Sequence, residues 1–122
     1  MKPRALKHLS HSREAADAIL EYAAGQTLDD YRGKRILRSA IEREFLIIGE
    51  SLVRLRRDDP ATLALLTKAP SIIAFRNILV HAYDGIDDSN VWNIVECHLP
   101  VLRAEIDLLL TASGNSSPAE EE

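Results

Sequence analysis

Residues 35–57, RILRSAIEREFLIIGESLVRLRR, decide the fold class. Within them Leu37, Ile41, Glu44, Ile48, Ser51 and Leu55 recur at steps of four and three, the spacing of a helix packed nearly antiparallel to others in a bundle. Upstream, Thr27 with Asp30 three positions on makes a capping box in which Asp replaces the usual Glu. The helix is therefore predicted from Thr27 to about Arg57, with Gly33 loosening its first turns. Before it, Leu6, Leu9, Ala16, Ile19, Leu20 and Ala23 mark a first helix from about Pro3 to Ala24, and Gly25 stands where a helix stops.

Downstream, Asp58-Asp59-Pro60 reads as a stop followed by a start, because Asp favours a cap and Pro a first turn; a short helix, Ala61 to Lys68, follows. Pro70 repeats the device and opens a helix from Ser71 to about Ala82, with Ile72, Phe75 and Leu79 on one face. Residues 84–88 have turn composition, and Asp88 or Ser89 caps a last helix to Leu110, kinked at Pro100. The fold class expected is all-α, an up-and-down bundle of four to six helices. One domain spans residues 1–110, and the polar, acidic residues 111–122 form a disordered tail.

Composition agrees. Aromatic residues make up only 5% of the 122, which disfavours sheets, and the hydrophobic fraction of 46% suffices for one core. The lone Cys97 cannot form an internal disulfide and reads as a buried thiol beside a packing His98. The start, Met-Lys-Pro-Arg, leads into no apolar run long enough for a signal peptide or a membrane span, so the expected location is cytoplasmic.

The net charge of −4 is unevenly spread: residues 31–57 hold eight basic side chains against three acidic ones, +5, leaving −9 elsewhere. Two readings stand for Arg32, Lys34, Arg35, Arg38, Arg43, Arg54, Arg56 and Arg57: a solvated face of intrahelical ion pairs, or a track for a phosphate backbone.

Glycine-rich phosphate loops, paired cysteines, a serine nucleophile elbow and two-histidine metal spacing are all missing, and no cofactor is expected. His8 and His11 read as ordinary surface residues rather than metal ligands. In contrast, Arg76, Asn77, His81 and Tyr83 fall within eight residues of an apolar helix. At about 100° per residue, Arg76 and Tyr83 lie roughly 20° apart and Asn77 and His81 roughly 40° apart, on the side away from Phe75 and Leu79. A purely structural use, with each group satisfied by hydrogen bonds, remains open on this ground alone.

Arg, four residues, His, one residue, Tyr, with Asn directly after the Arg, resembles the motif of HEPN-domain nucleases. Residues 4–110 resemble the HepT-type toxin branch of that family, also at Ile47-Ile48-Gly49-Glu50, Pro70, Asp84-Gly85-Ile86-Asp87, Val91-Trp92 and Leu99-Pro100. The resemblance implies a HEPN-like homodimer whose motif helices face each other across a cleft, cleaving RNA without a metal. It also implies a type VII-like toxin–antitoxin system, in which a minimal nucleotidyltransferase antitoxin silences the toxin by attaching AMP units to Tyr83.

The groups present suit that chemistry. RNA carries its own nucleophile, the 2′-hydroxyl, so His81 serves as acid or base and Arg76 as a forked donor to the phosphorane oxygens. Asn77 orients His81 or a phosphate. Glu50 either pairs with Arg76, orients His81, or is a plain helix-surface carboxylate. In-line cleavage works best with both a base and an acid, and a two-fold dimer supplies two copies of each, a reason for dimerisation independent of family. Arg32, Lys34, Arg35, Arg38 and Arg43 are the candidate RNA track, although they suit the antitoxin equally. Assembly beyond a dimer is left open. The alternative from another class is a catalytically silent helical dimer module that binds nucleotide, RNA or a nucleotidyltransferase through the same polar edge.

Overall fold

The first helix, α1 (Pro3–Ala23), begins with Pro3 in its first turn and is followed by Gly25 at φ +74°, the left-handed conformation that glycine adopts without strain. The computed structural model describes residues 1–82 and 85–114, and these are all helix, turn or loop. Ala5, Leu9, Ala16 and Ile19 face the core from α1.

The Thr27 box forms as expected: Asp30 N–H donates to Thr27 Oγ1 at 3.1 Å and Thr27 N–H to Asp30 Oδ2 at 2.9 Å. The helix it starts is short, however, and the single long helix expected from Thr27 is two. α2 (Leu28–Gly33) ends at Gly33, Lys34 is extended, and α3 (Arg35–Asp58) starts afresh. Gly33 gives the least helical support, and Tyr31 is fully buried against Trp92, ring centroids 5.5 Å apart, which fixes α2 on its own course. Arg38 closes the corner by donating to the carbonyls of Tyr31, at 3.4 Å, and Arg32.

Helix α3 runs through the middle of the bundle. Its buried line is Ile41, Phe45, Ile48, Leu52 and Leu55, with Gly49 and Ser51 beside it. Glu44 and Leu37 of the expected stripe lie only at its edge. The buried arc is wider than a single seam because α3 packs against α1 on one side and α5 (Ala69–Val80) on another. Phe45 meets Phe75 of α5 edge-on at 5.2 Å. His8, expected at the surface, is buried and donates from Nε2 to Asp58 Oδ2 at 2.8 Å, which sets α1 and α3 antiparallel.

The helix expected over 61–68 is cut to α4 (Pro60–Leu63), capped by Asp59, which accepts from Thr62 N–H at 3.2 Å and Thr62 Oγ1 at 2.7 Å. Beyond it Leu66 is buried and Thr67 is held by Glu105, its N–H donating at 3.0 Å, so tertiary contacts override local propensity.

The last helical stretch comprises α6 (Asp88–Asn93), a π-helical turn (Ile94–His98) and α7 (Leu99–Ala112). Its cap is Asp87, which accepts from Ser89 N–H at 3.0 Å, rather than Asp88 or Ser89. The kink expected at Pro100 takes the form of the widened turn just before it, where a missing donor is absorbed. Cys97 lies on the outside of that turn and is exposed, not buried. His98 Nδ1 is 2.9 Å from Ser71 Oγ of α5. α7 returns antiparallel to α1, joined by Arg13 to Asp107 at 3.1 Å and Arg103 to Asp17 at 2.8 Å. It reaches Ala112, and the expected tail from residue 115 on lies outside the described residues.

Candidate active site

The site is built where α5 crosses α3, and a glycine sets the distance between them. A Cβ on Gly49 would overlap Cβ and Cγ of Arg76. The stem of Arg76 therefore lies directly on the backbone of α3, and its guanidinium reaches the next residue of that helix, Glu50. Nη2 of Arg76 donates to Glu50 Oε1, and Nη1 donates to Asn77 Oδ1 at 3.0 Å. Nε is buried with no hydrogen-bond partner among the described residues. The Arg76 side chain is 25% exposed and that of Glu50 43%, so the pair sits at the lip of the surface and not in the core. Of the uses left open for Glu50, the contact is with Arg76.

His81 is the C-cap of α5: its N–H donates to the carbonyls of Asn77, at 3.3 Å, and Ile78, at 3.2 Å, and its φ of −112° ends the helix. The helix thus stops at Val80, two residues short of the expected Ala82. Tyr83 lies outside the described residues. Asn77, expected to orient His81 or a phosphate, uses its side-chain oxygen to accept from Arg76. Arg76, Asn77 and Glu50 are brought together, with His81 one turn further at an exposed helix end. The outward face of α5 beside them is apolar apart from the motif: Ala74 is exposed, Ile78 is 49% exposed and Val80 46%.

The basic segment is divided by the fold. Arg32 lies 3.7 Å from Asp29 and donates to Ser89 Oγ at 2.9 Å, Lys34 donates to Gln26 Oε1 at 2.8 Å, and Arg38 caps α2. These three hold the α2–α3 corner. Arg35 and Arg43 are exposed. Gly49 is the site residue whose role sequence reasoning missed. Its signal was present, since a glycine inside a helix costs about 1 kcal/mol relative to alanine and so marks a packing need. Among the described residues no three His, Cys, Asp or Glu side chains group as a metal-ligand set, and no described helix is long and apolar enough to cross a membrane.

The family model described as ribonuclease HepT-like matches residues 12–109. Three relatives come from Methanocaldococcus jannaschii. The chain is 27% identical over 101 residues to "Putative RNase MJ1380", covering 79% of this chain and 87% of the relative. It is 29% identical over 99 residues to "Gamma-glutamylcyclotransferase and putative RNase MJ0434", covering 81% of this chain but 44% of the relative. It is 22% identical over 102 residues to "Putative RNase MJ1216", covering 80% and 79%. No solved structure matches.

Proposed function

The chain belongs to the HepT-like ribonuclease family, and from that premise we propose that it is a metal-independent endoribonuclease acting through Arg76 and His81, the toxin of a toxin–antitoxin pair. The observation that carries the reading is the state of Arg76. Its stem is pinned on Gly49, its guanidinium is aimed by Glu50 and Asn77, and its side chain is 25% exposed at the surface. A fixed, partly exposed guanidinium with Nη N–H groups beyond those two bonds is a place for a phosphate oxygen.

In the reaction, His81 takes the proton of a ribose 2′-hydroxyl, whose oxygen attacks the adjacent phosphorus. Arg76 stabilises the charge on the phosphorane. The bond from phosphorus to the 5′-oxygen breaks, that oxygen is protonated, and a 2′,3′-cyclic phosphate and a 5′-hydroxyl remain. One protomer holds one His81; a second copy docked through the apolar face of Ala74 and Ile78 supplies the acid, which makes the working form a homodimer. A cognate nucleotidyltransferase antitoxin silences it by placing AMP units on Tyr83. The added anionic phosphodiesters block the cleft and compete for Arg76.

The test compares wild type, Arg76→Ala and His81→Ala on total RNA in a chelator. Each variant loses roughly 10²–10⁴-fold in cleavage rate, and co-expression with the antitoxin adds mass in whole AMP units unless Tyr83 is Phe. Equal cleavage by all three proteins, or cleavage only on adding divalent metal, sinks the proposal.

A further inference from the structure

We propose that the groove between α1 and α3, where Arg43 and Arg54 flank the Glu50–Arg76 pair, binds the sugar–phosphate backbone of single-stranded RNA beside the bond to be cut. This rests on the ribonuclease reading above and names a substrate-binding surface for it.

The groove, about 300 Å³, is lined by His11 of α1 and by Arg43, Leu46, Ile47, Glu50 and Arg54 of α3. At about 100° and 1.5 Å per residue, Arg43, Glu50 and Arg54 project within roughly 40° of one another and span about 16 Å of helix. They form one line, with the site carboxylate inside it.

What these arginines are not doing decides their role. Arg54 stands four residues after Glu50, the order in which an acidic and a basic side chain pair best within a helix. Glu50 pairs instead with Arg76, across to α5. Arg43 and Arg54 are exposed and make no hydrogen bond or ion pair among the described residues, whereas Arg32, Lys34, Arg38 and Arg57 of the same basic segment are engaged. The reading of this segment as a face of intrahelical ion pairs therefore fails for Arg43 and Arg54.

Two open guanidinium forks on either side of a carboxylate already neutralised by Arg76 suit successive backbone phosphates. Half-buried Leu46 and Ile47 give the floor an apolar surface for ribose and base faces. His11 adds a donor from the opposite wall. The path has a direction, because beyond His11 and Ile47 the groove continues between Glu14 and Glu44 toward Tyr22. Those carboxylates repel phosphate, so the strand lies along the Arg43–Arg54 line and not across it. The narrow groove favours a single strand over a duplex, which is recognised over wide surfaces.

The experiment measures binding of a fluorescein-labelled single-stranded RNA dodecamer by anisotropy across a salt series, in the His81→Ala background. Arg43→Ala/Arg54→Ala weakens binding on the order of tenfold and lowers the slope of log affinity against log salt by about 1.4, which is about 0.7 for each phosphate contact. Arg56→Ala removes an exposed arginine from the opposite side of α3 and leaves both close to the parent value. Circular dichroism checks that all variants fold.

An unchanged affinity and slope in the double variant overturns the proposal, and so does an equal loss in Arg56→Ala, which would mean bulk charge alone. Loss of binding to an acidic protein partner with RNA binding intact overturns it in favour of a protein interface. The two readings separate cleanly. RNA held through these arginines but never cut by wild type sinks the ribonuclease and leaves the groove; normal cutting by the double variant with unchanged KM does the reverse.

Discussion

Two pairs of polar side chains fasten α3 to its neighbours. At the C-terminal end of α3, Asp58 accepts from His8 Nε2 at 2.8 Å and from Arg57 Nε at 3.0 Å, while Lys2 Nζ donates to its carbonyl at 3.0 Å. Its side chain is 10% exposed. In the middle of the helix, Glu50 takes one nitrogen of Arg76, Asn77 takes another, and Nε is left buried and open. The first arrangement uses its groups on one another and holds α1 to α3. The second holds α5 to α3 but stops short of completing the hydrogen bonding of its arginine. A closed polar network stabilises, whereas a partly exposed arginine with N–H groups beyond its two bonds keeps donors for another partner.

The two regions differ most at Gly49. Alanine there adds about 1 kcal/mol of helix propensity, yet its Cβ collides with the Cβ and Cγ of Arg76. Turning χ1 can move Cγ but not Cβ, which the backbone fixes, so α5 itself must shift, at the roughly 1–3 kcal/mol typical of overpacking. The two terms partly cancel in stability but not in position. Gly49→Ala is expected to change Tm by a few degrees or less and to reduce RNA cleavage at least about tenfold, as a misplacement near 1 Å does. Paired melting and cleavage assays check this. A variant as active as wild type would show that the α3–α5 spacing does not govern the site.

At the other end of α3 the expected effect is on folding alone. The hydrogen bonds from Arg57 and then His8 hold the Asp58 carboxyl well below the ordinary carboxylate range. Because its folded pKa is depressed, Asp58 contributes stability above the unfolded value, near 4, and loses it as pH falls from there toward the folded value. Asp58→Asn removes that contribution, so the variant melts earlier at neutral pH and its stability changes less between about pH 5 and pH 2. Cleavage at neutral pH stays at the wild-type rate. Acid titrations followed by circular dichroism give the first result; a loss of cleavage without a loss of stability would mean that this pair, too, belongs to the site.

The same contrast explains which parts of the molecule were legible in the chain. Signals that act within a few residues were read correctly: the Thr27–Asp30 box, Gly25 after α1, and the spacing that places Arg76 and Asn77 on α5. What was misread depends on partners far along the chain. His8 is buried by a carboxylate 50 residues away, Thr67 is held by Glu105 where a helix would otherwise continue, and the break at Lys34 follows from Tyr31 packing on Trp92. Within the site, the residue types suggested a chemistry, but which side chain meets which could not be read from them. Asn77 accepts from Arg76, a contact that depends on where the Arg76 stem lies on Gly49 of α3, 27 residues back in the chain, and not on spacing within α5.

At Glu50 a small change of charge separates aiming from binding. Glu50→Gln keeps the shape of the side chain and one hydrogen bond to Arg76 but removes the negative charge between Arg43 and Arg54. A charged partner strengthens a hydrogen bond by about twofold relative to a neutral one, so Arg76 becomes less firmly aimed. The local field meanwhile becomes more positive, and a polyanion binds better. The two consequences fall on different constants: kcat is expected to drop about two- to fivefold through positioning, while KM for RNA falls by a similar factor at low salt. Raising the salt screens the second effect and leaves the first. Steady-state kinetics at two salt concentrations distinguish this from the alternatives. A rise in KM with kcat unchanged would make Glu50 a substrate contact, and no change in either would reduce the Glu50–Arg76 pair to a fastening like that of His8 and Asp58.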